Sequence, residues 1–171
     1  MSDDSLWLRP WTAADLAVEL RNNSPEMTSF LGGPLDEGVV RKRHERFLSM
    51  QADGSGAQFT LRSELDDKAV GAVGYWQTDH GGHEVYECGW FVFPELQGHG
   101  LARRGVRLLL EHAAVHGDRD SMYAFPRTDN AGSNALARAE GFVNTGPEDF
   151  EYPKGVPITV NAWVFDLRTL R

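Results

Sequence analysis

The segment around residues 85–113 most strongly constrains what this chain can fold into, because its hydrophobic pattern changes there from a strand period to a helix period. Residues 85–93 form a largely apolar run that ends at Pro94, which is typical of a strand. Apolar side chains then recur at helical spacing over residues 101–113. The segment therefore predicts a strand, a glycine-containing turn at residues 97–102 and an amphipathic helix.

The turn at residues 97–102 has the composition of an anion-binding loop. Gly98 and Gly100 let the backbone approach a ligand without a Cβ clash. The first turn of the following helix offers unpaired N–H groups and the positive end of the helix dipole. Together with Arg103 and Arg104, this pattern favours a pyrophosphate site, and its spacing matches neither a Walker A loop nor a dinucleotide fingerprint. A glycine-rich turn without a ligand is the alternative.

The remaining hydrophobic patterns predict a mixed α/β domain spanning residues 1–171, with the order β-α-α-β-β-β-α-β-α-β-β around one twisted sheet. Alternation near residues 57–62 predicts a half-buried strand in which Gln58 and Thr60 face away from the core. Thr12 with Asp15 predicts a capping box at the first helix, and Asn130 predicts the start of the last helix.

Charge and composition narrow the classes of partner and compartment. The chain has 17 Lys and Arg against 25 Asp and Glu, a net charge of −8, which disfavours nucleic acid and anionic membranes and suits a cationic partner. Its single cysteine, Cys88, excludes an intrachain disulfide, and its apolar runs are too short for a transmembrane helix. The acidic residues 1–4 lack the apolar region of a secretory signal, so we expect a cytoplasmic protein.

Histidine pairs raise the question of a metal site. His80 and His83 flank a glycine turn with no third ligand, and His112 and His116 lie four residues apart without the glutamate of a zinc-protease motif. We expect a plain loop for the first pair, a surface pair for the second, and no metal.

Three motifs, in this order and at these separations, resemble those of the GNAT superfamily of N-acetyltransferases, closest to its RimJ/RimL-type branch. The motifs are Glu87-Cys88-Gly89-Trp90, then Gln97 with Gly100 and Ala102, then Asn130 with Ser133, Gly141 and Phe142. The resemblance covers nearly the whole chain. It implies one domain with a central twisted, mostly antiparallel sheet of about seven strands, splayed at its centre and flanked by about four helices.

The same resemblance implies an acetyl-CoA-dependent acyltransferase and assigns residues to the cofactor. The loop amides would hold the CoA pyrophosphate, and the pantetheine arm would bond to the backbone of one strand. Asn130 would contact CoA through its side chain, and Ser133 would lie near the thiol. The implied CoA-binding residues are Phe91, Val92, Gln97, Gly98, His99, Gly100, Leu101, Ala102, Arg103, Asn130 and Ser133.

Acyl transfer to an amine needs a base, because alkyl amines are mostly protonated at neutral pH. Glu87 is the candidate base, since it lies in an otherwise apolar strand; a carboxylate facing solvent or paired with an arginine is the alternative. Val92 N–H could stabilise the oxyanion, and Ser133 could assist the leaving sulfur. Many GNAT enzymes have a tyrosine acid where this chain has Ala137, which leaves Ser133 or water for that role.

The acceptor side is expected near a loop between the last two strands that contains residues 148–152. Its carboxylates and aromatic rings suit a cationic amine, although a solvated acidic loop is an equal alternative. We expect a small cationic amine, a metabolite or antibiotic; a peptide N-terminus, or a non-enzymatic acyl-CoA-binding module, are the rivals. The resemblance also allows a homodimer. The expected acceptor-binding residues are Trp76, Glu87, Asp149, Glu151 and Tyr152.

Overall fold

The computed structural model describes residues 5–171, so residues 1–4, on which the expected absence of a secretory signal rests, lie outside it. Within the described range no helix is both long and apolar enough to cross a membrane. The strands are β1 (Leu6–Pro10), β2 (Gly56–Ser63), β3 (Ala69–His80), β4 (His83–Val92), β5 (Ser121–Ala124), β6 (Val143–Glu151) and β7 (Pro157–Asp166). The α-helices are α1 (Leu16–Asn22), α2 (Glu37–Asp53), α3 (Leu101–His116) and α4 (Ala131–Ala139), with short 3-10 turns at Ala13–Asp15, Pro94–Leu96 and Leu167–Leu170.

All seven strands form one sheet in the order β1-β2-β3-β4-β5-β7-β6. Every neighbouring pair is antiparallel except β4 and β5, which pair in parallel only at Tyr86↔Met122 and Glu87↔Tyr123. Because β4 continues to Val92 while β5 ends at Ala124, the two strands diverge and leave an opening that we call the β4–β5 notch. The predicted element order, the mostly antiparallel sheet and its central splay are confirmed.

Helices cover both faces of the sheet. The α3 face carries α3 and α4, whose Val106, Leu109 and Ala137 are buried in the main core cluster. The α2 face carries α1 and α2, where Phe47 packs in a second cluster with Ala72 of β3. The half-buried strand expected at residues 57–62 is therefore wrong: Gln58 and Thr60 are 5% and 0% exposed, because α2 covers the side expected to face solvent.

Local capping signals act as the sequence predicts. The Asp15 carboxylate accepts hydrogen bonds from the Thr12 backbone N–H at 2.7 Å and from its hydroxyl at 2.8 Å. Asn130 caps α4 by accepting from the Ser133 N–H at 3.1 Å, and Gly141 follows that helix with a φ of 88°. These short-range contacts determine where the turn at Ala13–Asp15 and helix α4 begin and where α4 ends.

The loop expected at residues 148–152 is mostly strand. Residues 148–151 belong to β6 and pair with β7, and the connection to β7 begins only at Tyr152. The expectation was wrong because Asn144, Gly146 and Pro147 look like a turn in the sequence. The structure accommodates them as a register shift in β6, with Gly146 at a φ of 118°.

A buried amide, Asn134 of α4, ties that helix to β7. Its Nδ2 donates to the carbonyls of Arg127 and Asn130 at 2.9 and 2.8 Å. Its Oδ1 accepts from Asn161 Nδ2 at 2.8 Å and from Trp163 Nε1 at 2.9 Å. All the hydrogen-bonding atoms of this side chain are thereby used.

Replacing Asn134 by Ala should lower the free energy of unfolding by about 2–4 kcal/mol, because the Nε1 of the buried Trp163 and the amide of Asn161 would lose their acceptor. Urea unfolding measures the change. Asn144→Ala removes an amide on exposed β6 and should cost less than about 1 kcal/mol. Equal losses in the two variants would contradict the assigned role of Asn134.

Candidate active site

The backbone of β4 presents hydrogen-bonding groups to the β4–β5 notch. The Phe93 N–H donates to Val70 O of the β3 segment at 3.0 Å. Because these groups alternate in direction along a strand, those of Val92 and Trp90 point the other way, into the notch. The Val92 carbonyl accepts from Gln97 Nε2 at 2.9 Å, so its N–H remains the donor directed into the opening.

Phe91 does not share this direction. Its carbonyl points at β3, where an ideal Cβ on Gly71 would lie only 2.0 Å from Phe91 O. The backbone of Phe91 therefore does not face the notch, whereas that of Trp90, which the sequence analysis did not name, does. A one-residue error of this kind reverses the direction of every backbone group on a strand.

The turn before α3 forms a cradle of backbone donors. The N–H groups of residues 98–103 find no acceptor among residues 5–171, and Gly100, the N-cap of α3, provides no side chain to cap them. Such a run of donors at a helix N-terminus has the geometry to bind an anion, and we call it the amide cradle.

Two glycines give the amide cradle its shape. Gly98 and Gly100 have φ angles of 79° and 76°, which side-chain-bearing residues rarely adopt. An ideal Cβ on either would meet nothing within 4 Å, so the space above the cradle is open. The exposed His99 lies between them, and the buried Leu101 anchors the first turn of α3 in the core.

Arg103 is oriented by a partner that sequence reasoning missed. Its Nε donates to Glu140 Oε1 at 2.6 Å, and Arg107 Nε lies 2.8 Å from Glu140 Oε2. Glu140 is only 3% exposed, whereas the Arg103 side chain is 60% exposed. These residues border an open cleft of about 720 Å³ that also includes Gly100 and Arg104. The guanidinium of Arg103, beside the amide cradle, is thus held in place by Glu140 at the end of α4.

Glu87 is a half-buried carboxyl at the point where β4 and β5 separate. It is in register with Trp76 of β3 and Tyr123 of β5. Burial raises the pKa of Glu87, and a hydrogen bond from the Trp76 side chain and the charge of Arg46 partly offset that rise. No residue within 5–171 forms a direct ion pair with it, so the arginine pairing considered as an alternative is absent there.

Ser133 lies in the first turn of α4, behind its cap Asn130. Its backbone N–H is used by Asn130, whereas its half-buried hydroxyl makes no hydrogen bond to any residue in 5–171. One helical turn later, Ala137 is fully buried in the main core cluster. The structure therefore places a hydroxyl with spare hydrogen-bonding capacity on α4 and no tyrosine at position 137.

Two of the expected acceptor residues lie on the α2 face with Glu87. Trp76 packs beside α2, and Arg43 Nη1 of α2 donates to the Tyr152 hydroxyl at 3.1 Å. Asp149 and Glu151, which were also expected there, do not lie on this face.

Strand alternation determines where those two acidic side chains point. Asp149 and Glu151 pair with Thr159 and Pro157 of β7. Alternate residues of a strand share a face, so Asn161 lies on the same face as Thr159 and Pro157. Its side chain contacts Asn134 of α4. Asp149 and Glu151 are thus exposed on the α3 face, opposite Glu87, which corrects their expected grouping with it.

A row of rings on the α2 face was not foreseen. We call it the aromatic strip: His80, Tyr123, Phe125 and Phe150, with successive ring centroids 4.3, 5.7 and 5.5 Å apart. His80 Nε2 lies 3.0 Å from both carboxylate oxygens of Glu148. The aromatic strip adjoins Glu87, because Tyr123 in the strip is the register partner of Glu87.

His80 and His112 are used in packing. His80 belongs to the aromatic strip, and His112 packs against Phe59 with ring centroids 4.7 Å apart. The expected surface pair is half wrong, because α3 turns His112 toward the sheet; its Nδ1 lies 3.2 Å from the Tyr75 hydroxyl, and burial lowers its pKa to about 4. In the described part of the chain, no three His, Cys, Asp or Glu side chains are grouped to hold a metal ion.

Comparison with known proteins agrees with this architecture. Residues 5–143 match the sequence profile of the acetyltransferase (GNAT) domain. No curated protein sequence matches the chain.

Solved structures share the fold at low sequence identity. Spermidine N-acetyltransferase from Vibrio cholerae, in complex with CoA and spermine, is 20% identical with a TM-score of 0.79 over 96% of this chain and 97% of that one. The Salmonella typhimurium acetyl transferase that modifies the N-terminal serine of ribosomal protein L7/L12 is 19% identical, with a TM-score of 0.77 over 95% of both chains. RimL, a ribosomal L7/L12 alpha-N-protein acetyltransferase, is 20% identical with a TM-score of 0.75 over 95% of this chain and 90% of that one.

The domain match covers most of the chain, and the fold carries the amide cradle and the notch that the motifs predicted. The chain belongs to the GNAT family of acetyltransferases and has the fold of its RimJ/RimL-type members.

Proposed function

We propose that this acetyltransferase moves the acetyl group of acetyl-CoA directly to a primary amine, and that its acceptor is a small cationic amine. The observation that carries the proposal is the arrangement around β4. The amide cradle lies at the end of an open notch, and a half-buried carboxyl, Glu87, lies where that notch closes. This arrangement offers an anion site, a slot and a base along one strand.

The donor half of the site is an anion site followed by a slot. In the proposal the N–H groups of residues 98–103 bind the CoA pyrophosphate, with Arg103 adding positive charge. The pantetheine arm then enters the β4–β5 notch, where Trp90 and Val92 offer backbone groups. Asn130 and Ser133 follow β5 in the chain. Asn130 would contact CoA through its side chain, and Ser133 would lie near the thiol. The proposed donor-binding loop is Gln97, Gly98, His99, Gly100, Leu101 and Ala102.

The proposed chemical step is a direct displacement at the thioester. Glu87, directly or through a water molecule, takes a proton from the acceptor ammonium, and the neutral amine nitrogen attacks the acetyl carbonyl carbon. Because Val92 lies farther from Glu87 and its N–H faces the pantetheine arm, the Trp90 N–H, rather than that of Val92, donates to the oxyanion that forms. The C–S bond then breaks, the electron pair leaves on sulfur, and Ser133 or water supplies a proton to the CoA thiolate while the amide nitrogen loses its second proton to solvent.

The acceptor half is supported by the aromatic strip. Rings hold a cation by cation–π attraction, and the Glu148 carboxylate adds a negative charge beside His80. Trp76 and Tyr152 border the same side of the sheet. Asp149 and Glu151 face the other way and would act only through their long-range charge. The net charge of −8 favours approach of a cation.

Product analysis with isotopically labelled acetyl-CoA tests the acceptor class. The enzyme would be incubated with small diamines, aminosugars and peptides with free N-termini, and acetylated products identified by mass spectrometry. We expect labelled acetyl groups on small amines with a kcat/KM at least about 10-fold above that of any peptide. Preferential labelling of peptides would overturn the small-amine assignment. Acetyl-CoA binding without any product would instead support a binding module.

A further inference from the structure

We infer that Trp76 is a positioning residue that holds the carboxylate of Glu87 and the guanidinium of Arg46 on the same side of β4. The inference rests on the proposed role of Glu87 as the base. Sequence reasoning placed Trp76 only among the acceptor contacts. Its indole instead makes the contacts that arrange the groups around Glu87.

The indole crosses from β3 onto β4 because Gly89 leaves room for it. An ideal Cβ on Gly89 would lie 3.4 Å from Trp76 Cη2, so a methyl group would touch the ring and a larger side chain would displace it. On its other side the ring packs against the cluster of Phe47 and Met50 from α2. The ring is thereby held between α2 and the strand that carries Glu87.

Two polar contacts converge on this ring. Trp76 lies opposite Glu87, its register partner on β4, so the two side chains are neighbours on the α2 face, and a hydrogen bond from the indole lowers the pKa of the Glu87 carboxyl. The guanidinium carbon of Arg46, on α2, lies 5.4 Å from the centroid of the Trp76 ring. Arg46 makes no ion pair with any carboxylate in residues 5–171, and its charge lowers the pKa of Glu87.

The charged and titratable groups around Glu87 come from three elements. Arg46 faces it from α2, the buried Cys88 thiol adjoins it on β4, and the Tyr123 phenol lies beside it on β5. Burial raises the pKa of Glu87, whereas the Trp76 hydrogen bond and the Arg46 charge lower it. Holding both contacts in place limits how far burial raises the pKa of Glu87.

Trp76→Phe tests the positioning role, because phenylalanine keeps a ring over Gly89 but removes the N–H donor. We expect kcat to fall about 10-fold, acetyl-CoA affinity to stay unchanged, and the acidic limb of the kcat/KM profile to move to higher pH. Trp7→Phe, at an exposed ring on β1, is the matched control and should match wild type in all three measurements.

Arg46→Met tests the charge separately. Loss of the guanidinium should move the acidic limb to higher pH by about half a unit or more, with the plateau of kcat/KM retained. Arg41→Met removes a positive charge from the opposite side of the same helix, where Arg41 pairs with the exposed Glu37, and should leave the limb in place. A wild-type profile in both Trp76→Phe and Arg46→Met, with Glu87→Gln inactive, would overturn the inference.

A readout without turnover separates this inference from the proposed function. The Glu87 carboxyl carbon, followed by ¹³C NMR, should titrate at higher pH in Trp76→Phe and Arg46→Met than in wild type. That shift together with a fully active Glu87→Gln would reject Glu87 as the base while retaining the contact between the three side chains. An unchanged Glu87 titration in both variants would reject the contact itself.

Discussion

Replacing Glu87 by Gln should lower kcat by about 10²–10⁴-fold, because the amide keeps the size of the side chain but cannot accept the proton of the acceptor amine. Acetyl-CoA affinity should stay within about 2-fold of wild type, since the proposed donor site lies along the other part of β4 and the amide cradle. Steady-state kinetics and calorimetric binding measure the two effects separately. The acidic limb of the wild-type kcat/KM profile should rise with pH through the elevated pKa of Glu87, and the variant should lack it.

Glu84→Gln is the matched control for this experiment. Glu84 lies on the same strand, and its side chain is 78% exposed, so the variant makes the same change of charge away from the notch. It should retain wild-type kcat and the wild-type pH profile. Equal activities of Glu87→Gln and Glu84→Gln would reject the assignment of Glu87 as the base.

Replacing Gly100 by Ala should weaken acetyl-CoA binding by about 10-fold or more, a loss of roughly 1.4 kcal/mol. Alanine is strained at a φ of 76°. A backbone rotation that relieved this strain would turn the N–H groups of the amide cradle away from a common centre. The added methyl would also stand in the open space above the cradle. Calorimetric titration with acetyl-CoA measures the effect.

Gly54→Ala separates backbone strain from loss of binding. Gly54 ends α2 with a φ of 78° and, like Gly100, has nothing within 4 Å of an ideal Cβ. Both substitutions should lower the free energy of unfolding by about 1 kcal/mol. Only Gly100→Ala should weaken acetyl-CoA binding, and an equal effect on affinity in both would show that the cradle geometry is not specific.

Local signals explain why so much of the fold could be predicted. The cap at Asn130, the box formed by Thr12 with Asp15, and the left-handed Gly100 depend on contacts within a few residues, which a sequence displays directly. The hydrophobic period likewise determines the element order. The burial of Thr60 could not be predicted, because the polar residues on its side of β2 looked exposed to solvent. Only the packing of α2 against that side buries them.

One part of the candidate site could be predicted because its residues are close together in the sequence. The loop at residues 97–102 is one continuous segment, so its glycines and the helix that follows already indicate an anion site. The contact between His80 and Glu148 joins residues 68 positions apart, and no short motif marks it. Asp149 was grouped with the acceptor residues because a loop was expected there. In a strand, its neighbour Phe150 faces the aromatic strip and Asp149 faces away.

Calorimetric titration of the wild-type protein with acetyl-CoA, with NADH and ATP as controls, tests the central claim most directly. The amide cradle and the β4–β5 notch together should give saturable binding of acetyl-CoA near one molecule per chain, with no comparable binding of either control. Absence of acetyl-CoA binding, or equal binding of NADH, would contradict the account. The glycines would then shape a turn that binds no CoA.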